Sequence, residues 1–186
     1  MKTFPAATWQ RPTVNEVKTI MELASQRLGC EVRYLHKHFD ADARTFRRWK
    51  EKADVTPDAL STIKYTAWGL LVLIATGKLI FTEDGQPFEP KNPELWMIIQ
   101  NFYVFKARDF VVPSVKIVTL FIGQEGSITG LQRQELAHLL GYDKAHFGRL
   151  IGNMKFGVWA AILVCFGVPI EQMFDVVKPL SDLTCD

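Results

Sequence analysis

Little in this sequence is typical of a secreted, disulfide-stabilised or membrane-spanning protein. Its three cysteines, Cys30, Cys165 and Cys185, are an odd number without close spacing, so neither a disulfide framework nor a zinc signature is expected. The N-terminus has no apolar stretch of the secretory type. The longest apolar run, Ala67 to Ala75, is about half of the ~20 residues that a membrane helix needs. These features predict a cytoplasmic protein without a membrane partner.

Signatures of catalysis are equally scarce. No Gly-x-Ser-x-Gly is present, and the glycine-rich stretch Gly123 to Gly130 lacks the Gly-Lys-Ser/Thr of a phosphate-binding loop. His36 and His38 would point to different faces of a helix, so they are poorly spaced to share a metal ion. Four carboxylates, those of Asp40, Asp42, Glu83 and Asp84, fall in predicted turns and helix caps. At such positions Asp and Glu usually have a structural role. We therefore predict no enzyme, no metal site and no cofactor.

Positive charge is concentrated in one short stretch. The 186 residues carry a net charge of only +2, which by itself indicates no partner. Residues 31–52, however, contain seven Lys/Arg and four Asp/Glu, a net charge of +3. Such a local excess is typical of a nucleic-acid-binding surface rather than of a basic tail.

Two short helical patterns lie on either side of a break within this basic stretch. Leu35 and Phe39 are apolar at helical spacing before the break, and Phe46 and Trp49 follow it at i and i+3. Asp42 is placed to cap the second helix. The outer face of that helix is basic and carries Arg44, Arg47, Arg48 and Lys50. An apolar inner face, a short turn and a basic outer face are what a helix-turn-helix needs.

The segment resembles the helix-turn-helix family of DNA-binding domains. The residues that match the family pattern are Leu35, Phe39, Ala41, Asp42, Thr45, Phe46 and Trp49. It departs at His36, where a small residue is usual, and at Asp40, where glycine is usual. The resemblance implies that the first helix braces the second, which lies in the major groove with its N-terminal half toward the base edges.

The pattern returns 101 residues later, between Gln134 and Asn153. The corresponding residues are Leu136, Leu140, Gly141, Asp143, Phe147 and Arg149. At the two departures the second copy has the family's residues, Ala137 and Gly141. The apolar segments that follow the two copies, 68–77 and 159–167, are also similar. We predict a mainly α fold with two helix-turn-helix units related by internal duplication.

The resemblance implies which residues would contact DNA. In the first copy, base contacts are expected from Arg44, Thr45, Arg47 and Arg48, and phosphate contacts from Arg33, Lys37, Lys50 and Lys52. In the second copy the corresponding residues are Lys144, His146 and Arg149. The charge there is sparser, so the second copy either binds DNA or serves as a packing or dimer module.

The pattern divides the chain into an N-terminal arm (1–12), a first helix-turn-helix domain (13–90), a connecting aromatic helix (91–112) and a second helix-turn-helix domain (113–186). For the arm we favour a disordered terminus over the alternative, in which Lys2 and Arg11 contact phosphates and Phe4 or Trp9 packs on a partner. Residues 78–90 suit either a small β-hairpin or a loop. Besides the two motifs, helices are expected at 14–28, 56–75, 93–107, 114–122, 158–166 and 169–177.

Two functions follow from these expectations. The first is sequence-specific binding of double-stranded DNA by a transcriptional regulator of bacterial, plasmid or phage type, as a monomer or as a homodimer through the aromatic helices. The alternative is an adaptor that binds another protein, such as a polymerase, a regulator or a transfer apparatus. An exposed basic face would favour the first function, and an exposed apolar patch the second.

Overall fold

The computed structural model describes residues 4–51, 54–123 and 125–183, and over these residues the fold is mainly α-helical without a β-strand. The α-helices are α1 Val14–Arg27, α2 Ala43–Trp49, α3 Tyr65–Thr76, α4 Pro93–Phe102, α5 Val115–Thr119, α6 Arg133–Leu139, α7 Lys144–Leu150 and α8 Phe156–Cys165. Shorter-pitch 3-10 helices span Pro5–Ala7, Val32–Phe39, Ala107–Asp109, Ile170–Gln172 and Leu180–Asp182. The predicted mainly α fold is confirmed.

Helix α1 begins and ends where the sequence predicts. Thr13 and Glu16 form a capping box at its start, in which each side chain accepts from the other residue's backbone N–H. Val17, Met21 and Ala24 form the buried face. Beyond its C-terminal end, Gly29 adopts the left-handed conformation that glycine tolerates best.

The centre of the fold is the contact of α3 with α1 on one side and α8 on the other. Both α3 and α8 are apolar nearly all round, which is typical of helices enclosed by other elements. Trp159 of α8 is fully buried, and its indole N–H donates to the carbonyl of Tyr103 at 2.8 Å. Cys165, predicted to be a core residue, is also fully buried.

The helix predicted to begin at Pro57, with Thr56 as its cap, begins eight residues later, at Tyr65. Residues 56–64 instead run along the start of α1, where Val14 N–H donates to the carbonyl of Ala59 at 2.8 Å and Asn15 N–H to that of Pro57 at 3.1 Å. The exposed amides of the first turn of α1 thus obtain partners, which a helix at 56–64 could not provide.

The N-terminal arm is not a disordered terminus over its described part, residues 4–12. Lys2 lies outside the described residues. Phe4 is only 5% exposed and its ring packs edge-on against that of Phe88. Trp9 packs against Tyr65, with ring centroids 5.3 Å apart, and the carbonyl of Pro12 accepts from Ser61 N–H. Burial of two aromatic rings offsets the entropy lost on ordering this segment.

Residues 78–90 form a loop, and no β-hairpin is present in this fully described segment. Leu79 and Phe81 both point into the core, and the Phe81 ring fills the space beside Gly69. The Phe88 amide donates to the carbonyl of Cys165 rather than to a facing strand. The return segment therefore packs on α8.

Three further helices are shorter than predicted. Helix α4 begins at the expected Asn92 cap, which accepts from Leu95 N–H at 3.1 Å, but ends at Phe102. Helix α5 has the expected Ser114 cap and ends at Thr119. The helix expected at 169–177 is only a 3-10 turn at Ile170–Gln172.

One hydrophobic core extends through both halves of the chain. The proposed boundaries at residues 90 and 112 therefore do not separate two independent cores, and the domain division stays a prediction. In the part of the chain that the structure describes, no helix has the length and apolarity needed to cross a bilayer.

Candidate nucleic-acid interface

The apolar inner face of the first helix pair forms as the sequence predicts. Leu35, Phe39, Phe46 and Trp49 are all buried. The ring centroids of Phe39 and Phe46 are 5.3 Å apart, and those of Phe46 and Trp49 are 4.4 Å apart. These contacts hold α2 against the preceding helix. That helix, Val32–Phe39, is 3-10 rather than α over its whole length.

The two departures from the family pattern are both accommodated. Asp40 adopts a left-handed conformation with φ of 46°, the conformation for which glycine is usual. The His36 ring is half-buried and lies 6.4 Å from that of Phe46. Its Nδ1 lies 2.9 Å from the carbonyl oxygen of Arg33. His36 therefore fills the space between the helices where a small residue is usual.

Asp42 caps α2. Its carboxylate accepts from the backbone N–H groups of Arg44 at 3.1 Å and Thr45 at 3.2 Å. The bond from Arg44 N–H is the main reason that the Asp42 pKa lies below its ordinary value. The Thr45 hydroxyl also donates to Asp42, at 3.3 Å. Thr45, expected to read bases, is thus engaged in the cap in this structure.

The basic side chains predicted to contact DNA lie on the surface around α2. Arg33, Lys37, Arg44, Arg47 and Arg48 are exposed, and Lys50 is half-buried. Among the described residues, no carboxylate lies within 4.0 Å of a charged nitrogen of the three α2 arginines or of Lys50. Lys52 lies outside the described residues. Within the described part of the chain, the cations of the α2 face therefore form no ion pair.

Arg33 and Lys37 differ from the α2 arginines because both contact Tyr34. The Arg33 guanidinium and the Lys37 ammonium each lie 4.8 Å from the centroid of the Tyr34 ring. Arg33 also forms an ion pair with Glu31 at 2.9 Å, in which both side chains are exposed. We did not predict a role for Tyr34, although it lies three residues before Lys37, which is a spacing at which side chains on one helix meet.

The second helix pair, α6 and α7, has the same inner packing and an equivalent cap. Leu136, Leu140 and Phe147 are buried, and the Asp143 carboxylate accepts from His146 N–H at 2.8 Å. That bond is the main cause of the lowered Asp143 pKa. Gly141 adopts the left-handed conformation at the position equivalent to Asp40.

The three residues expected to contact DNA from the second pair are all exposed: Lys144, His146 and Arg149. The His146 ring stacks on that of Tyr142, with centroids 5.1 Å apart and planes 22° from parallel. This pair thus presents two exposed cations and one imidazole already in contact with a neighbouring ring.

The contact between the two halves of the chain could not be predicted from the sequence. Thr66 donates a buried hydrogen bond to the carbonyl of Leu140 at 2.6 Å, and Tyr65 packs beside Gly141. Both residues lie in the first turn of α3, and each meets the turn of the second helix pair. These contacts of Tyr65 and Thr66 are seen only once α3 is packed against that turn in the tertiary structure.

Within the described ranges, no group of three or more His, Cys, Asp or Glu side chains is arranged to hold a metal ion. Burial, the largest influence on His38, lowers the pKa of its imidazole.

Comparison of the chain with protein-family models, curated proteins and solved structures gives no match.

Proposed function

We propose that the protein binds double-stranded DNA and acts as a sequence-specific transcriptional regulator, with α2 in the major groove. The carrying observation is the exposed group of Arg44, Arg47 and Arg48 on a capped helix, whose inner face is held by Phe46 and Trp49. Arginines can bind guanine bidentately or contact phosphates. Such a regulator, of bacterial, plasmid or phage type, would act in the cytoplasm.

Corresponding features of the two halves support an internal duplication. The helix caps Thr13 and Ser114 are 101 positions apart, as are the caps Asp42 and Asp143. Helices α2 and α7 each have seven residues. We infer that the first pair is the main reader of DNA, because its reading helix carries three arginines where the second pair carries Lys144 and Arg149.

The direct test is binding to a random-sequence duplex, titrated across salt concentrations. The wild-type chain is expected to lose affinity with a log–log slope of about −0.9 per phosphate contacted. The variant Arg44→Ala/Arg47→Ala/Arg48→Ala is expected to lose most of this affinity. Because α2 is held by its inner face, circular dichroism should show that this variant keeps its helix content.

A charge-matched control separates a local surface from the overall charge. Lys78, Lys91 and Lys116 are exposed and lie outside both helix pairs. Their triple replacement by alanine removes the same charge and is expected to bind nearly as well as the wild type. An equal loss in the control, or no wild-type binding at low salt, would contradict the proposal.

A second candidate function, binding to a protein partner, is favoured by the outer face of α4. Met97, Ile98 and Phe102 are 57%, 42% and 68% exposed, while Trp96 and Ile99 of the same helix are buried. Large exposed apolar side chains on one helix are typical of an interaction surface. The simplest partner is a second copy of this chain, which would give the regulator a second set of DNA-reading helices.

This candidate is tested by measuring the molar mass in solution as the protein concentration rises. Self-association through α4 predicts a dimer that is lost in Met97→Ser/Phe102→Ser. The matched variant Val55→Ser/Leu60→Ser replaces two apolar residues that are also exposed and should leave the dimer intact. A chain that is monomeric at every concentration excludes self-association through this face.

A further inference from the structure

A cleft of about 340 Å³ lies where α1, the 3-10 helix Val32–Phe39 and α2 meet. Met21 and Phe46 lie buried at its floor, while Val32, which is half-buried, and Ala43, which is exposed, are the apolar side chains that a ligand could contact. This volume falls at the small end of the range for ligand pockets, roughly 300–1,000 Å³. The cleft is therefore large enough for a small organic molecule and presents apolar surface to it.

Three cationic side chains line the same cleft: Arg33, Arg47 and Lys50. Arg33 is already paired with Glu31 at 2.9 Å. Arg47 lies on α2 and Lys50 is the C-cap residue three positions later, and both side chains line the cleft. No carboxylate in the described part of the chain comes within 4.0 Å of their charged nitrogens. The cleft thus combines apolar surface with two cations that have no direct counter-charge.

We propose that this cleft binds a small organic carboxylate with an aryl or alkyl body. The guanidinium of Arg47 matches a carboxylate in geometry, and the Lys50 ammonium adds a second charge-assisted contact. The apolar body would lie against Val32 and Ala43, which favours such a molecule over inorganic phosphate. The ligand would enter between α1 and α2, on the side of α2 that carries Arg47.

Such a ligand would also oppose DNA binding, a consequence that rests on the proposed function. Arg47 belongs both to the cleft and to the proposed DNA-reading face. A carboxylate bound to Arg47 neutralises a charge that a phosphate or a guanine would otherwise use. By thermodynamic linkage, DNA must then weaken ligand binding by the same factor.

The experiment uses the intact chain with ¹³C-labelled methionine methyl groups. Met21 reports on the cleft, while the exposed Met97 and the buried Met154 lie outside it and serve as internal references. Phenylacetate and hexanoate are the probes, with phenylacetamide and inorganic phosphate as comparisons. At least one carboxylate should shift the Met21 resonance saturably, and phenylacetamide and phosphate should bind at least about tenfold more weakly.

The variant Arg47→Gln/Lys50→Gln should lose this shift while the Met154 resonance stays in place, which shows that the core is intact. The charge-matched variant Lys78→Gln/Lys91→Gln should keep it. The proposal is overturned if neither carboxylate shifts Met21, if the amide or phosphate acts equally, or if the response survives in Arg47→Gln/Lys50→Gln.

A separate titration with duplex DNA distinguishes this proposal from the proposed function. Carboxylate binding without duplex binding supports the cleft and contradicts DNA binding. Duplex binding without a shift of the Met21 resonance supports DNA binding and contradicts the cleft proposal. If both the carboxylate and the duplex bind, phenylacetate or hexanoate at saturation should lower the affinity of the protein for the duplex. An unchanged affinity for the duplex overturns the predicted competition.

Discussion

Thr66 and Leu140 are joined by a buried hydrogen bond in which Thr66 Oγ1 donates to the Leu140 carbonyl oxygen at 2.6 Å. Thr66 lies in the first turn of α3, and Leu140 is the C-cap residue of α6 in the second helix pair. The neighbouring Tyr65 packs beside Gly141 in the same turn. The helix after the first pair thus fixes the turn of the second, and the two pairs share one packed framework.

Thr66→Val should reveal how much this bond stabilises the protein. Valine nearly preserves the shape of threonine but leaves the buried Leu140 carbonyl without its donor, so the free energy of unfolding should fall by about 1–3 kcal/mol. Urea denaturation measures the change. Thr76→Val removes a half-buried bond to the Val72 carbonyl and an exposed bond from Lys78 N–H. Water can replace the partners of these more exposed bonds, so a smaller loss is expected. Equal losses would contradict a special role for Thr66.

Gly141→Ala should be more destabilising than an ordinary glycine replacement. Gly141 has φ of +74°, and a Cβ there would lie 2.7 Å from the Cβ of Tyr65. The left-handed backbone and the clash together should cost about 2–5 kcal/mol. Gly126 has a similar φ of +70°, and no atom of the described residues lies within 4 Å of an added Cβ.

Gly126→Ala therefore isolates the backbone cost of about 1–2 kcal/mol. Thermal and urea unfolding of both variants compare the two costs. If Gly126→Ala destabilises the protein as much as Gly141→Ala does, the Tyr65 contact contributes nothing.

The helix caps and the inner faces of the helix pairs could be predicted because they depend on residues a few positions apart. Asp42, Asn92 and Ser114 each accept from an amide within three positions, as their sequence context indicates. The periodicity that buries Phe46 also leaves Arg44 and Arg48 exposed. Local patterns therefore identified the basic face of α2.

Features set by long-range contacts could not be predicted in the same way. Thr56-Pro57 has the local signal of a helix start, but the carbonyl of Pro57 is taken by an amide of α1. Similarly, nothing near Phe4 in sequence indicates that its ring packs on Phe88. In the candidate site, the cap bond of Thr45 depends on its side-chain rotamer, which the helical period leaves open.

The two aspartate caps predict an acid-dependent loss of stability. Hydrogen bonds from Arg44 N–H and His146 N–H lower the pKa of Asp42 and of Asp143 respectively. A lowered folded-state pKa gives stabilisation that is complete above the unfolded value of about 3.9 and is lost as the pH falls through the folded pKa.

Asp42→Asn/Asp143→Asn should therefore lose less stability than the wild type as the pH falls below about 4, since asparagine still caps a helix but carries no charge. The urea midpoint measured across this range tests it. The charge-matched Asp58→Asn/Glu89→Gln alters two exposed carboxylates that cap neither helix pair. The urea midpoint of this control should fall with pH as that of the wild type does. If the midpoint of the control also falls less steeply, the effect is due to net charge rather than to the caps.

Arg48 offers the sharpest test of sequence reading, because it is exposed on α2 and does not line the cleft that contains Arg47 and Lys50. With an operator selected from random duplexes, Arg48→Ala should weaken operator binding by ~1–3 kcal/mol and relax the preference at one base pair. Lys37→Ala, which removes a proposed phosphate contact, should instead weaken all duplexes alike and reduce the salt slope by about 0.9. Competition binding against single-base operator variants measures both effects. If Arg48→Ala keeps the full base preference, Arg48 contacts the backbone, and base reading by α2 would have to come from Arg44 or Arg47.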